Sequence, residues 1–325
     1  MPNIEYEDKE IIKKAIDLLK DNQYIILCTV VETWGSSPRP VGSMMIISQA
    51  GKLYGSVSGG CIEDDLLDKY NNNYFSSSSL NTLTYNATTE NSHVKIPCGS
   101  KLKLITEKIN DAKEFISINN YLNKNLKITR TLNLTSLNSS IETSSANNEN
   151  FSYSKEKLIK TFGPAWKILV IGANHITPYI KQLADMLGYK LIVCDPRKNY
   201  SENYTEEHNH KTISLMPDDA VTKYASDFYN IVLSLSHDPK LDDMALMTAL
   251  ELNLFYVGAI GSKKTNEARR KRLKQLGLND TSINKLHGPV GLDINSKTPA
   301  EIAISIFADL TRLKNNYQQH ESYKH

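Results

Sequence analysis

The spacing of apolar positions along this chain changes several times. In the opening segment EDKEIIKKAIDLLKD, Ile11, Ile12, Ala15, Ile16 and Leu19 recur at helical spacing and predict an amphipathic helix. The run YIILCTVVET at 24–33 is β-branched and almost continuously apolar, the pattern of a buried strand. SMMIISQAGKLYGSVS reads as two strands joined at the Ala50 and Gly51 turn. Past Gly60 the period becomes helical again in CIEDDLLDKY, where Ile62, Leu66 and Leu67 share a face. Glu63, Asp64 and Asp65 in its first turn suit the positive end of a helix dipole. Strand-like stretches return at 80–85 and in KLKLITEKI, followed by a helical run over about 111–123. The segment NLTSLNSSIETSSANNENFSYSKEK is rich in Ser and Asn and cannot bury enough apolar surface to offset its ordering entropy throughout. Strand pieces with a long loop near 135–157 are expected there.

Beyond FGPAWK, strands and helices alternate. KILVIGA predicts a strand, TPYIKQLADMLG a helix ended by Gly188, and YKLIVCDPR a second strand; YNIVLSLS and LFYVGAIGS repeat the pattern. Strand, helix and strand in rotation imply a parallel, doubly wound sheet. The predicted fold class is therefore α/β: a C-terminal Rossmann-like domain over 163–325 and a separate N-terminal α+β domain over 1–162. Thr298, Pro299 and Glu301 predict the N-cap, first-turn proline and capping box of a final helix.

The 325 residues suffice for two domains with cores of their own. With 38 Lys plus Arg against 36 Asp plus Glu, general nucleic-acid binding is not expected. No apolar run approaches the length of a membrane span, and MPNIEYEDKE is too polar for a signal peptide, so a cytoplasmic protein that does not enter membranes is expected. Four cysteines without a CxxC pair predict neither a disulfide framework nor a zinc finger, but reduced thiols.

The second half has the layout of a dinucleotide-binding unit. The strand of KILVIGANHI opens into a helix, and Asp195 closes the next strand. Gly172 is present, but Asn174 stands where a second glycine would let backbone touch a pyrophosphate. Either a nucleotide-like ligand binds here or the sheet is purely structural. SHDP and GAIGSKK also lie at strand C-terminal ends, where such sheets bind ligands. GAIGSKK leads into a helix with seven basic residues and one acidic one between Lys263 and Lys274. That helix is either a solvated face or, with Gly261 and Ser262 at its start, a phosphate-holding terminus. His175 and His237 are ligand candidates or satisfied structural histidines.

Cys28 in the first half and Cys194 in the second sit within apolar strands and are assigned to cores. Cys61 and Cys98 instead occupy glycine-containing turns, SGGCIE and PCGS. A cysteine at a helix N-terminus has its thiolate favoured and is a better soft-metal ligand, although the acidic residues that follow oppose this. In WGSSPRPVGSM, Ser36, Ser37 and Arg39 could cradle an anion or form an ordinary hairpin loop.

Together GSSPRPVGSM, GSVSGGCIEDD, PCGS, VIGANH, CDPR, SHDP, YVGAIGSKKTNEARRKRL and GPVGLDINSKTPAEIAISI occur in the order of the XdhC/CoxI family, and the chain resembles it from about Thr29 to Asp309. The resemblance implies a maturation factor rather than a turnover enzyme. It would bind the molybdenum cofactor, as molybdopterin or its dinucleotide form, assist its sulfuration with a cysteine desulfurase, and deliver it to an apo molybdenum hydroxylase of the xanthine dehydrogenase type. A homodimer is implied too. In this reading Cys61 lies next to the metal, Gly59 and Gly60 shape its turn, and Ser37, Arg39 and Cys98 line the same cleft. Gly172, His175, Asp195, His237, Gly261 and Ser262 line a nucleotide-like side. Two positions depart from the family pattern: GANH replaces GAGH and PCGS replaces PCGG. The competing readings are an NAD(P)-dependent oxidoreductase and a sulfurtransferase carrying persulfide on Cys61.

Overall fold

A computed structural model describes residues 4–21, 23–35, 39–86, 101–143, 150–163, 165–208 and 210–322. Ser36, Ser37 and Cys98 lie outside the described residues, as does the side chain of Cys61. The chain divides into two compact units, 2–164 and 165–325.

The N-terminal unit runs α1 (Ile4–Lys20), β1 (Ile25–Trp34), β2 (Met44–Ser48), β3 (Leu53–Gly55), α2 (Cys61–Asn71), a short 3-10 turn, β4 (Leu80–Tyr85), β5 (Lys101–Ile109), α3 (Lys113–Asn123), β6 (Ile128–Asn133), β7 (Ser139–Thr143), β8 (Phe151–Tyr153) and β9 (Lys157–Phe162). Five strands form an antiparallel sheet in the order β3-β2-β1-β5-β4, and four form a second in the order β7-β6-β9-β8. The Ser/Asn-rich stretch thus contributes strand pieces on both sides of 144–149, which lie outside the described residues.

The unbroken hydrophobicity of β1 has a packing cause. Ile25 and Leu27 point to a core built with Ile12 and Ile16 of α1 and Phe115 and Ile118 of α3. Their neighbours Ile26, Cys28 and Val30 point the other way, onto Ile62 and Leu66 of α2. A strand covered on both faces has no solvent side to mark with polar residues. Buried ion pairs tie the second sheet to its surroundings. Arg130 of β6 makes two bonds to Glu107 of β5, at 3.1 and 2.7 Å, and a third to Glu114 of α3 at 2.9 Å. Lys160 of β9 pairs with Asp8 of α1 at 2.8 Å and donates to the Gly42 carbonyl.

The C-terminal unit runs β10 (Lys167–Ile171), α4 (Thr177–Met186), β11 (Lys190–Cys194), α5 (Lys198–His208), β12 (Thr212–Ile213), α6 (Pro217–Tyr224), β13 (Asn230–Ser234), α7 (Pro239–Ala249), β14 (Tyr256–Ala259), α8 (Lys263–Gln275), α9 (Asp280–Asn284), β15 (Leu286–His287) and α10 (Pro299–Ser322). All six strands are parallel, in the order β12-β11-β10-β13-β14-β15. In chain order that is 3-2-1-4-5-6, the Rossmann arrangement, whose strand order reverses between β10 and β13. Two apolar cores cover its faces, one including α4 and α10, the other α6, α7 and α8. The capping box of α10 forms: Glu301 accepts from the Thr298 amide at 2.9 Å, and Thr298 Oγ1 accepts from the Glu301 amide at 3.3 Å. Among the described residues no helix is long and apolar enough to cross a membrane.

Candidate functional site

The loop between β3 and α2 is organised by one carboxylate. Glu63, in the first turn of α2, turns back and accepts from the amides of Val57 (2.9 Å), Ser58 (3.0 Å) and Gly60 (3.0 Å), and from the hydroxyls of Ser56 (2.6 Å) and Ser58. The hydroxyls serve twice, because Ser56 Oγ accepts from the Gly59 amide and Ser58 Oγ from the Ile62 amide, each at 2.9 Å. Gly59 and Gly60 have φ of 86° and 136°, a region L side chains rarely adopt. A methyl group on Gly60 would meet no atom within 4 Å, so backbone conformation and not crowding demands glycine there. The loop ends on Cys61 as the first residue of α2.

This geometry changes the expected effect of the acidic residues after Cys61. Glu63 faces the loop amides, and Asp65 is held by Lys69 at 2.6 Å and by the Tyr85 hydroxyl at 2.7 Å. Burial by itself would raise the Glu63 carboxyl. The Ser56 and Ser58 hydroxyls and the backbone amides outweigh that and hold it at about 2, against an ordinary 4.5. The unfolded chain therefore takes up this proton first as pH falls. The stabilisation is complete above about 4.5 and is lost as pH drops toward about 2. Glu63→Gln is expected to lower stability by roughly 2 kcal/mol at neutral pH and to flatten the acid limb of a stability–pH curve. An acid limb unchanged by the substitution would remove Glu63 as the hub.

The described thiols belong to cores. Cys28 is fully buried, and burial, with the charges of Glu63 and Glu107, pushes its thiol far up. Cys194 is pushed up to about 11 by burial. Arg39 stands in the turn before β2, where Gly42 donates to the Val30 carbonyl at 2.7 Å.

In the C-terminal unit Gly172, His175, Asp195, His237, Gly261 and Ser262 all lie past the C-terminal ends of parallel strands. His175 and His237 are exposed on the turns after β10 and β13, the two strands flanking the reversal, and His237 has φ 59°. Gly172 lets those turns touch: a Cβ there would lie 2.5 Å from Ser236 Cα.

The turn after β10 is satisfied from within. The Asn174 side chain donates to the Leu235 carbonyl and accepts from the Ile176 amide at 2.9 Å. Thr177 Oγ1 accepts from the Asn174 amide at 3.2 Å and donates to the Gly172 carbonyl at 2.8 Å. Asp195 is fully buried. Its carboxylate accepts from the Ala173 amide (2.9 Å), the Arg197 amide (3.0 Å) and the Arg197 guanidinium (2.9 and 2.7 Å). Arg197 in turn lies 3.9 Å over the Tyr200 ring. A dinucleotide bound in the ordinary way needs free amides for its pyrophosphate and a free carboxylate for its ribose. Here the carboxylate and the Ala173, Asn174 and Ile176 amides are engaged internally, so these residues do not fit NAD(P) bound in that manner.

The basic helix α8 resolves chiefly as a structural element. Arg269 pairs with Asp242 at 3.2 Å and Arg272 with Asp243 at 2.7 Å. Arg270 donates to the Ile283 and Leu286 carbonyls, and Lys274 pairs with Asp280 at 2.8 Å. Ser262 caps the helix by accepting from the Thr265 amide at 3.1 Å. Beneath the rim, Asp242 accepts from Ser234 Oγ, Ser236 Oγ and the Ser236 amide at 2.7–3.1 Å. Arg269 adds bonds to the Ile260 carbonyl and to Asn266, whose amide holds the Gly261 carbonyl at 3.0 Å. This buried network locks the SHDP and GAIGSKK loops together. Among the described residues no group of three His, Cys, Asp or Glu is placed to hold a metal ion.

Sequence reasoning missed Glu63 as the organiser of the cysteine loop and Asp242, Arg269 and Asn266 as the support of the rim. An acid at the third position of a helix was a readable capping signal for Glu63. The contacts of Asp242 with Arg269 cross 27 residues and had no local signal.

A Rossmann-like sheet whose phosphate turn is closed, in a chain that also carries a cysteine-headed helix in its other unit, defines the class. Residues 168–310 match the family profile described as the XdhC Rossmann domain, and residues 18–79 that of the XdhC and CoxI family. Together these span more than half of the chain, which belongs to the XdhC and CoxI family. It is 22% identical over 317 residues to the molybdenum cofactor insertion chaperone PaoD of Escherichia coli (strain K12), covering 95% of this chain and 89% of that protein. It is 21% identical over 323 residues to a Bacillus subtilis (strain 168) protein named as a probable xanthine dehydrogenase subunit, covering 91% and 95%. A solved structure from Bacillus halodurans, described as a xanthine dehydrogenase, shares the fold with a TM-score of 0.76 at 23% identity, over 95% of this chain and 96% of that one.

Proposed function

We propose that this chain is a cytoplasmic maturation factor for a molybdenum hydroxylase of the xanthine dehydrogenase type. It receives the molybdenum cofactor as cargo, holds it while a cysteine desulfurase supplies the terminal sulfur, and passes it to the apoenzyme, acting as a homodimer. Cys61 is the thiol next to the metal. Ser37, Arg39 and Cys98 are proposed as cofactor contacts with it, as are Gly172, His175, Asp195, His237, Gly261 and Ser262 of the C-terminal unit. Two relatives support the reading: one is named as an insertion chaperone for this cofactor and matches nearly the whole chain, and the other carries the name of a xanthine dehydrogenase component.

The observation that carries it is the Glu63-centred loop. Five donors converge on one carboxylate, two glycines take positive φ, and the helix that follows begins on cysteine. A thiolate is favoured at a helix start and is a soft ligand suited to a thiophilic metal. The nearest acid keeps its charge, but the five donors that converge on it offset part of that charge.

The test is retention. Wild type and Cys61→Ala are purified from cells that make the cofactor, and molybdenum and pterin are measured per chain. Retention is expected to fall about tenfold in the variant, the scale of a disturbed metal site, with the melting temperature nearly unchanged. Equal retention would overturn the reading. A stable extra sulfur on Cys61 by mass spectrometry after incubation with a desulfurase would make it a persulfide carrier instead.

A further inference from the structure

A cavity of about 500 Å³ opens at the other end of the Rossmann sheet, where β10 and β11 begin. It is lined by Lys167, Lys190, Lys223, His210, Tyr189 and Tyr224, among others. Ligand crevices of such sheets lie at strand C-terminal ends, so this cavity is separate from the rim described above. Its volume falls in the range of small-molecule sites.

The charges of the lining are one-sided. Lys167 and Lys190 are direct register partners on neighbouring strands. Like charges placed opposite one another in a sheet are destabilising unless an anion lies between them. Among the described residues neither lysine forms an ion pair; Lys190 is exposed and Lys167 half-buried, and partial desolvation and the charge of Lys167 lower the Lys190 ammonium. The one carboxylate in the lining, Asp185, is engaged by Lys181 at 2.6 Å. His210 is half-buried, with an Nε2 that has no hydrogen-bond partner among the described residues.

Helices α4 and α6 end nearby, and lysines do gather at helix C-termini to meet the dipole. Each such end carries only about half a negative charge. Two ends offset about one of the three ammonium groups, and Lys223 also lies 5.4 Å over the Tyr224 ring, which leaves positive charge without a counter-anion. Three point charges around one space call for an anion with several oxygens and more than one charge. A phosphate group, at about −1.5 to −2 near neutral pH, meets that requirement where a single carboxylate does not. Tyr224, half-buried at the end of α6, supplies wall for an attached organic group.

We propose that this cavity binds a phosphate-bearing small molecule, with Lys167, Lys190 and Lys223 around the phosphate and Tyr224 beside it. The site is independent of the maturation reading. The probe is inorganic pyrophosphate, titrated calorimetrically into the full chain at constant ionic strength. Saturable binding at one site per chain is expected, weakened at least about tenfold in Lys167→Gln/Lys190→Gln and retained in Lys52→Gln and in Arg197→Gln. Absence of saturable binding, equal affinity in the double variant, or equal loss in Lys52→Gln would overturn the proposal. So would loss confined to Arg197→Gln, which would place the anion at the opposite rim. Should the double variant melt early, Lys223→Gln, an exposed side chain at the end of α6, gives the same reading.

Discussion

Gly172→Ala is expected to destabilise the C-terminal unit by about 4 kcal/mol, a fall of roughly 10 °C in its melting transition. Two costs combine. At φ 112° an L side chain is strained, at about 1–3 kcal/mol. The new methyl group would also stand 2.5 Å from Ser236 Cα and 2.8 Å from Ser236 N. Both are backbone atoms, so no rotamer change relieves the contact, and the turns after β10 and β13 must part. Separation breaks the Asn174 bond to the Leu235 carbonyl and moves the turn carrying His237, so cofactor retention should fall with stability. Thermal melts of variant and wild type check this, and a shift under about 2 °C would show that the two turns can separate freely.

Arg269→Ala is expected to cost a similar amount, about 4 kcal/mol, through a different cause. Arg269 and Asp242 are 3% and 1% exposed, so removing one partner leaves a carboxylate in the interior with only hydroxyl and amide donors. The substitution also frees the Ile260 carbonyl and Asn266, both of which position the loop before α8. Arg272→Ala, whose side chain is 38% exposed, is expected to cost under about 1 kcal/mol. Urea unfolding of the two variants separates the cases. Equal, small effects would reduce the whole basic helix to a solvated face.

The contrast between Arg269 and Arg272 shows where reading the sequence stops. Seven basic residues in twelve positions announce a cationic helix, but not that one arginine is buried beneath the loops at the strand ends while its neighbour three positions on faces outward. That depends on α7, which supplies Asp242 and Asp243. Asn174 is a second instance. In sequence it is a missing glycine, whereas in the fold its amide closes the turn against the neighbouring strand's loop. The alternating period of the second half, by contrast, was sufficient for the parallel sheet, because burial of both sheet faces leaves an unmistakable pattern in each strand.

Local patterns alone determined much of this protein: its helices and strands, the Rossmann-like class of its second half, the core placement of Cys28 and Cys194, and the cap of α10. Each rests on residues within a turn or two of one another. Only the tertiary structure decided that Glu63 gathers the loop ahead of Cys61, that Asp195 is engaged by Arg197 and Ala173, and that Lys167 and Lys190 stand side by side. Such arrangements depend on which donors and charges the fold brings within about 3–5 Å of one another. Nothing in the order of residues states that distance until the strands have paired.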